Sequence, residues 1–201
     1  MLPAPSLPAK RTAYHHGDLR AALVRAGLSV LATDGLAALT LRRVAAVVGV
    51  SHTAPKNHFD SVLALRTALA TEGYWRLAQA LKDAARAPDP APRLADTFLG
   101  FAKKDAALFR LMTSADLIDA SDTTLREASG AARSVVAAAA GPVDIGAFWA
   151  LIHGAALLAS LGAASVDMTA ALRALGGADQ QPISRSASPV STSRHLSRAA
   201  K

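Results

Sequence analysis

Apolar residues recur every three or four positions through most of this chain, and no stretch alternates in the manner of a strand. From Asp18 the series Leu19, Ala22, Leu23, Ala26, Val30 and Leu31 predicts an amphipathic helix of about four turns, capped by Asp18 and ended near Gly35. Leu41, Val44, Ala45 and Val48 give a short second helix one apolar face, with Thr40 as its N-cap. Gly49 stands where that helix must stop, because a residue without a β-carbon takes the left-handed conformation cheaply. A third, stubby helix follows, and Pro55 is tolerated there only if it falls in the first turn, so the helix begins at Thr53 and makes about one and a half turns.

The rest of the pattern is a helical body. Ser61 caps a long helix whose apolar positions Val62, Leu65, Ala68, Leu69, Trp75, Ala78 and Leu81 carry it to the breaker APDPAP at 87–92. Beyond Pro92, Leu94, Thr97, Phe98 and Phe101 form one face, and Ala107, Leu108, Leu111 and Met112 the next. A polar stretch from Thr113 to Asp122 precedes an alanine-rich helix at 123–139, stopped by Gly141-Pro142. Asp144 opens an apolar helix from Ile145 to Leu161, and Asp167 caps a last one from Met168 to Leu175. These two are rich in alanine and glycine, whose small side chains let helices approach closely. That suits a four-helix seam shared by two copies of the chain, although an ordinary intrachain core would use the same residues. The predicted fold is all-α, with a flexible basic arm (1–13), a three-helix head containing a helix-turn-helix (14–60), a helical body (61–177) and a disordered basic tail (178–201).

Charge sharpens this division. The net charge of +7 is uneven: residues 1–70 carry eight Lys/Arg against three Asp, residues 71–177 carry ten against eleven acids, and the tail adds +3. A basic head on a neutral body is the footprint of a protein that meets a phosphate backbone with one end. The stubby helix presents His52, Thr53, Lys56, Asn57 and His58 after Ser51, small polar or cationic groups of the kind base edges and phosphates in a major groove require. Its exposed N–H groups and positive dipole end are expected to face the nucleic acid. Helix pairs joined by a glycine turn also occur in proteins that bind no DNA.

The chemistry of catalysis is poorly represented. The absence of cysteine excludes disulfides and cysteine-ligated metal, no strand–turn–helix elbow surrounds a serine, and no glycine-rich phosphate loop appears. The six histidines are scattered apart from His15-His16, so neither a metal site nor a cofactor is expected. The start of the chain, MLPAPSLPAKRTAYHHGD, holds no apolar run of signal-peptide length, and nowhere do about 18 uninterrupted apolar residues appear, which points to the cytoplasm. In the body, Phe98, Phe101, Phe109, Met112, Phe148, Trp149 and His153 are the candidates to line a modest apolar pocket, though Trp149 and His153 are better suited to plain core packing.

The stretch YHHGDLRAALVRAGLSVLATDGLAALTLRRVAAVVGVSHTAPKNHF resembles the first three helices of the TetR family of bacterial transcriptional repressors, including Gly35, the Thr40 start, the AAVVGVS turn and the His58-Phe59 ending. In the body, Trp149-Ala-Leu-Ile-His153-Gly154 resembles the tryptophan-histidine-glycine signature of one subgroup. The resemblance implies a homodimer that binds a palindromic operator in double-stranded DNA and is released by a small apolar effector. It implies that Thr40 and Arg42 touch phosphates, that Ser51, His52, Thr53, Ala54 and Asn57 lie at or near base edges, and that His58 lies near the backbone. Two positions depart from the family: Lys56 replaces a usual tyrosine, and Val62 a usual lysine, both phosphate contacts. Lys56 can serve as a point charge; Val62 cannot. The competing reading is a helical ligand-binding or scaffolding protein whose head has lost specific DNA binding.

Overall fold

The computed structural model describes residues 16–139, 144–162, 167, 168, 170 and 171. These contain seven α-helices and two short 3-10 turns, and no strand. The helices are α1 (His16–Thr33), α2 (Leu41–Val48), α3 (Val62–Ala84), α4 (Pro90–Lys104), α5 (Ala106–Thr113), α6 (Thr123–Ala139) and α7 (Ile145–Ser160). None of them is long and apolar enough to cross a membrane. The arm, the tail, Gly141-Pro142 and the far end of the last predicted helix lie outside the described residues.

The caps fall where local chemistry puts them. Thr40, Ser61 and Asp144 each accept a hydrogen bond from the backbone N–H three residues on, and the Asp167 carboxylate accepts from Ala170 N–H. Such a cap satisfies an N–H that the helix cannot. Two helix starts differ from the sequence reading, as does the end of α3, at Ala84 instead of the breaker at 87. α1 starts at His16, so Asp18 lies inside its first turn. α4 starts at Pro90, taking the end of the proline-rich breaker as its own first turn, where a missing N–H costs nothing.

α3 is the spine. α1 packs on the spine's head-end half, where Leu65 and Leu69 are buried, and α2 packs on α1, while the half that carries Leu77, Ala78 and Leu81 serves the body helices. α6 runs against α3, α7 packs chiefly on α4, and α5 lies between α3 and the head. One hydrophobic cluster therefore continues from the head into the body. Each fully buried leucine in it is worth about 1.5–3 kcal/mol relative to exposure.

The face of α3 is the one expected at Leu65, Leu69, Ala78 and Leu81, and departs from it at one position. Trp75, read as a core position, is 42% exposed, whereas its neighbour Tyr74 turns inward and donates its hydroxyl hydrogen to Met112 O at 3.1 Å. The Tyr74 hydroxyl satisfies that carbonyl.

Candidate nucleic-acid interface and body cavity

Gly49 ends α2 at φ 78°, ψ 30°. Its N–H reaches Ala46 O at 3.2 Å and the Val50 N–H reaches Ala45 O at 3.0 Å, the paired bonds that close a helix on a left-handed residue. The chain then reverses into a 3-10 turn, Ala54–Asn57, with Thr53 before it and buried Pro55 in its first positions. The expected α-helix of one and a half turns is thus a single tighter turn. Pro55 has no N–H to give, and its carbonyl accepts from both His58 and Phe59 N–H at 2.9 Å. So short an element sums too few peptide dipoles to carry the helix-end field expected of it, which leaves the electrostatics to side chains.

Those side chains are outward. Ser51, His52, Thr53, Lys56 and Asn57 are exposed, and Ala54 and His58 are half-buried. The Ser51 and Thr53 hydroxyls hydrogen-bond each other at 2.8 Å, and Thr53 N–H donates to Ser51 Oγ at 3.3 Å, fixing the entry to the turn. Behind it Phe59 is buried, with the Arg20 guanidinium 5.3 Å above its ring. The turn is therefore pinned from within by Pro55 and Phe59.

The two arginines at the start of α2 have different surroundings. Arg43 donates from Nε and Nη2 to Asp34 Oδ2 at 3.2 and 2.8 Å, while the Thr33 hydroxyl donates to Asp34 Oδ1. These bonds, Arg43 first, hold the Asp34 carboxyl below its ordinary pKa and tie α1 to α2. Arg42 is exposed and has no ion pair among the described residues.

In the body, four of the candidate residues form one aromatic group. Phe98 packs edge-on to Phe109 and Trp149, both at 5.7 Å between ring centres, and His153 lies 4.8 Å from Phe98 and 4.4 Å from Trp149. Phe148 is fully buried and Phe101 half-buried; neither lines a cavity with the others. His153 Nδ1 is 3.0 Å from Trp149 O, and burial lowers its pKa. Beside it a cavity of about 340 Å³ is lined by His153 and Met112 together with Tyr74, Thr113, Leu125, Arg126 and Ser129. Of the seven pocket candidates only His153 and Met112 reach it. Tyr74 was hidden because the more apolar Trp75 beside it takes the core position in a sequence reading, and Thr113, Arg126 and Ser129 because they lie in or beyond a stretch that reads as a polar linker.

The segment after α5 joins this cavity to the spine. Thr67, buried on α3, accepts the Asp119 N–H at 2.9 Å and donates to Leu63 O at 2.9 Å. Tyr74 holds Met112, in the last turn of α5, so the stretch from Met112 to Asp119 is fastened to α3 at both its ends.

No family model matches the sequence, and no curated protein matches it. Solved structures do. A protein of unknown function from Rhodococcus sp. RHA1 is 34% identical, with a TM-score of 0.66 over 83% of this chain and 97% of its own. The multidrug binding protein EbrR, complexed with imidazole, is 24% identical, with a TM-score of 0.57 over 84% and 95%. A TetR family transcription regulator from Marinobacter aquaeolei VT8 is 16% identical, with a TM-score of 0.55 over 77% and 91%. The protein is thus of the all-helical class with a helix-turn-helix head and a helical body. Its fold is the one found in TetR-family regulators.

Proposed function

We propose that this chain is a TetR-family transcriptional regulator of the tryptophan-histidine-glycine subgroup: a cytoplasmic homodimer, acting as a repressor, whose heads bind a palindromic operator and whose bodies bind a small effector. The observation that carries this reading is the exposed row Ser51, His52, Thr53, Lys56 and Asn57, held outward by buried Pro55 and Phe59. In this reading residues 14–60 are the DNA-binding unit and 61–177 the effector-binding and dimerisation unit. Ser51, His52, Thr53, Ala54 and Asn57 meet base edges, while Thr40, Arg42, Lys56 and His58 meet the backbone. The protein performs no catalysis and needs no cofactor.

Release follows from the spine. Two heads must enter major grooves about 34–36 Å apart, so a small tilt of α3 spoils the match. A molecule in the cavity pushes on the 112–120 segment, which is fastened to α3 at Thr67 and Tyr74. To act, it must bind the tilted arrangement more tightly than the DNA-competent one. The similar fold of a multidrug binding protein supports reading the body cavity as a ligand site.

The second reading, a ligand-binding or scaffolding protein with a silent head, is favoured by the shortness of the turn and by Val62 in place of a phosphate-gripping lysine. A mobility-shift assay on the DNA upstream of the protein's own coding sequence, across a salt series, decides between them. Salt-steep, sequence-selective binding is the expected result. Binding no stronger than to random DNA removes the regulator reading.

A further inference from the structure

The cavity beside His153 has a one-sided hydrogen-bonding inventory. A carbonyl oxygen only accepts, so with Nδ1 3.0 Å from Trp149 O the proton sits on Nδ1 and the neutral ring keeps a lone pair on Nε2. With Nδ1 turned back on its own helix, Nε2 is the ring nitrogen left over on this cavity-lining residue, and no other described group is hydrogen-bonded to it. Burial among Phe98, Phe109 and Trp149 disfavours the charged imidazolium.

The hydroxyls of the wall are committed in the same sense. Tyr74 donates to Met112 O, Ser129 to Arg126 O, and Thr113 to Phe109 O and Arg110 O. Each hydrogen is spent on a backbone carbonyl, so what each oxygen offers a ligand is a lone pair. Among the described residues no carboxylate lines the cavity, and the one charged lining residue, Arg126, is exposed. The remaining walls are apolar, Met112, Ile118 and Leu125.

We infer that the effector is a neutral, largely apolar molecule bearing a weakly acidic hydroxyl, a phenol in type, which donates its hydrogen to His153 Nε2. The inference rests on the reading of the cavity as the effector site. An ammonium would donate equally well, but it would meet the Arg126 guanidinium in the wall, and the Arg133 guanidinium, 5.6 Å from the Trp149 ring, adds positive charge nearby. A carboxylate would find a partner in Arg126 but only lone pairs at His153 Nε2 and the wall hydroxyls, so it would gain nothing from the imidazole. A phenol suits both constraints: the cationic surroundings strengthen its O–H as a donor, and its ring fits apolar walls with a methionine sulfur among them.

The test uses three probes on one 4-propylphenyl frame with the full chain: 4-propylphenol, its methyl ether and 4-propylbenzoate. Trp149 touches His153, so its emission reports occupancy once Trp75, the other tryptophan, is replaced in a Trp75→Phe background. Calorimetry on the unaltered chain gives the same dissociation constants independently. The phenol is expected to bind about three- to tenfold more tightly than the ether, the range for one neutral hydrogen bond. The benzoate should bind no better than the ether, and His153→Phe should abolish the gap between phenol and ether. If that variant does not fold, the comparison on the unaltered chain decides alone. Equal affinities for phenol and ether, tightest binding by the benzoate, or no binding by any probe overturns the inference. Failure of operator binding would end the regulator reading and leave these titrations intact; failure of the phenol with salt-steep DNA binding preserved ends only this inference.

Discussion

Arg42 and Arg43 are adjacent, identical in type and both exposed, yet their surroundings predict different phenotypes. Arg43 is committed to Asp34, so its removal should lower the thermal midpoint and leave the salt dependence of DNA binding unchanged. Arg42 is the one available to a phosphate, and Arg42→Ala should reduce the slope of log affinity against log salt by about 0.9. Mobility shifts over a salt series on both variants check the pair of outcomes; equal slopes would remove the assignment. His153 supports a second prediction. Its folded-state pKa is lowered from 6.5, mainly by burial, so below that value the unfolded chain binds a proton that the folded chain resists. Stability contributed by the neutral ring is therefore complete above about pH 6.5 and is lost as the pH falls toward the lower folded value. The groups facing the ring from the helices around it are Tyr74, Arg126 and Arg133, beside the phenylalanines of α4 and α5. None of these is an acid that could rescue the charged form. Urea titrations from pH 7.5 to 5 should show the midpoint falling, and His153→Phe should flatten that dependence. The role of Thr40 was legible in the sequence because capping is decided within four residues. The division of labour between Arg42 and Arg43 was not, because Asp34 lies nine residues away, across a turn of unknown direction.

Among the elements, α3 shows where periodicity stops being sufficient. Its start at Ser61 and its long apolar stripe are local features, and both were readable. Which of Tyr74 and Trp75 turns inward was not, because the choice is made by a carbonyl 38 residues further on. Nor could spacing distinguish a 3-10 turn from a short α-helix around Pro55, since the two differ in which carbonyl each N–H selects and not in which residues are apolar. Gly73 belongs to the same class of long-range facts. A β-carbon there would stand 2.6 Å from Met112 Sδ and 3.2 Å from Leu108 Cγ, so the glycine is what lets α5 lie close against α3. In Gly73→Ala the gain in helix propensity, about 1 kcal/mol, opposes an overpacking cost of about 1–3 kcal/mol. The methionine thioether can yield, but Leu108 is buried and branched. The variant should be net less stable, by roughly 1 kcal/mol in urea unfolding. It should also drive Met112 toward the cavity it lines and weaken binding of the phenol probe. A variant as stable as the parent would show that the α3–α5 contact is softer than the geometry requires.

At the scale of the whole molecule, the separation of a basic head from a neutral body was visible in the sequence, and so was the helical character of both. What sequence could not supply is the outer face of α7. This helix has no charged residue along its 16 positions, and one side of it, Phe148, Ile152, Ala155 and Ala156, is buried against the chain. The other side carries Leu157 and Leu158, each 46% exposed, followed by Leu161 at 63%. A helix apolar all round is normally buried all round. The dimer of the proposed function would cover these leucines with their symmetry mates, because a two-fold contact uses the same patch on both copies. Leu157→Ser with Leu158→Glu replaces that patch with polar and like-charged groups on both sides of the axis. The intrachain core of α7 keeps all four of its buried side chains. The parent chain should sediment as a dimer and the double variant as a monomer with unchanged helical circular dichroism. Linking two heads makes the second half-site contact intramolecular and raises affinity by about 10²–10⁴. The monomer should therefore lose about a hundredfold or more on a full operator while binding an isolated half-site as the parent does. A parent that sediments as a monomer, or a double variant that remains dimeric, places the two-fold contact elsewhere and leaves the exposed leucines of α7 without this explanation.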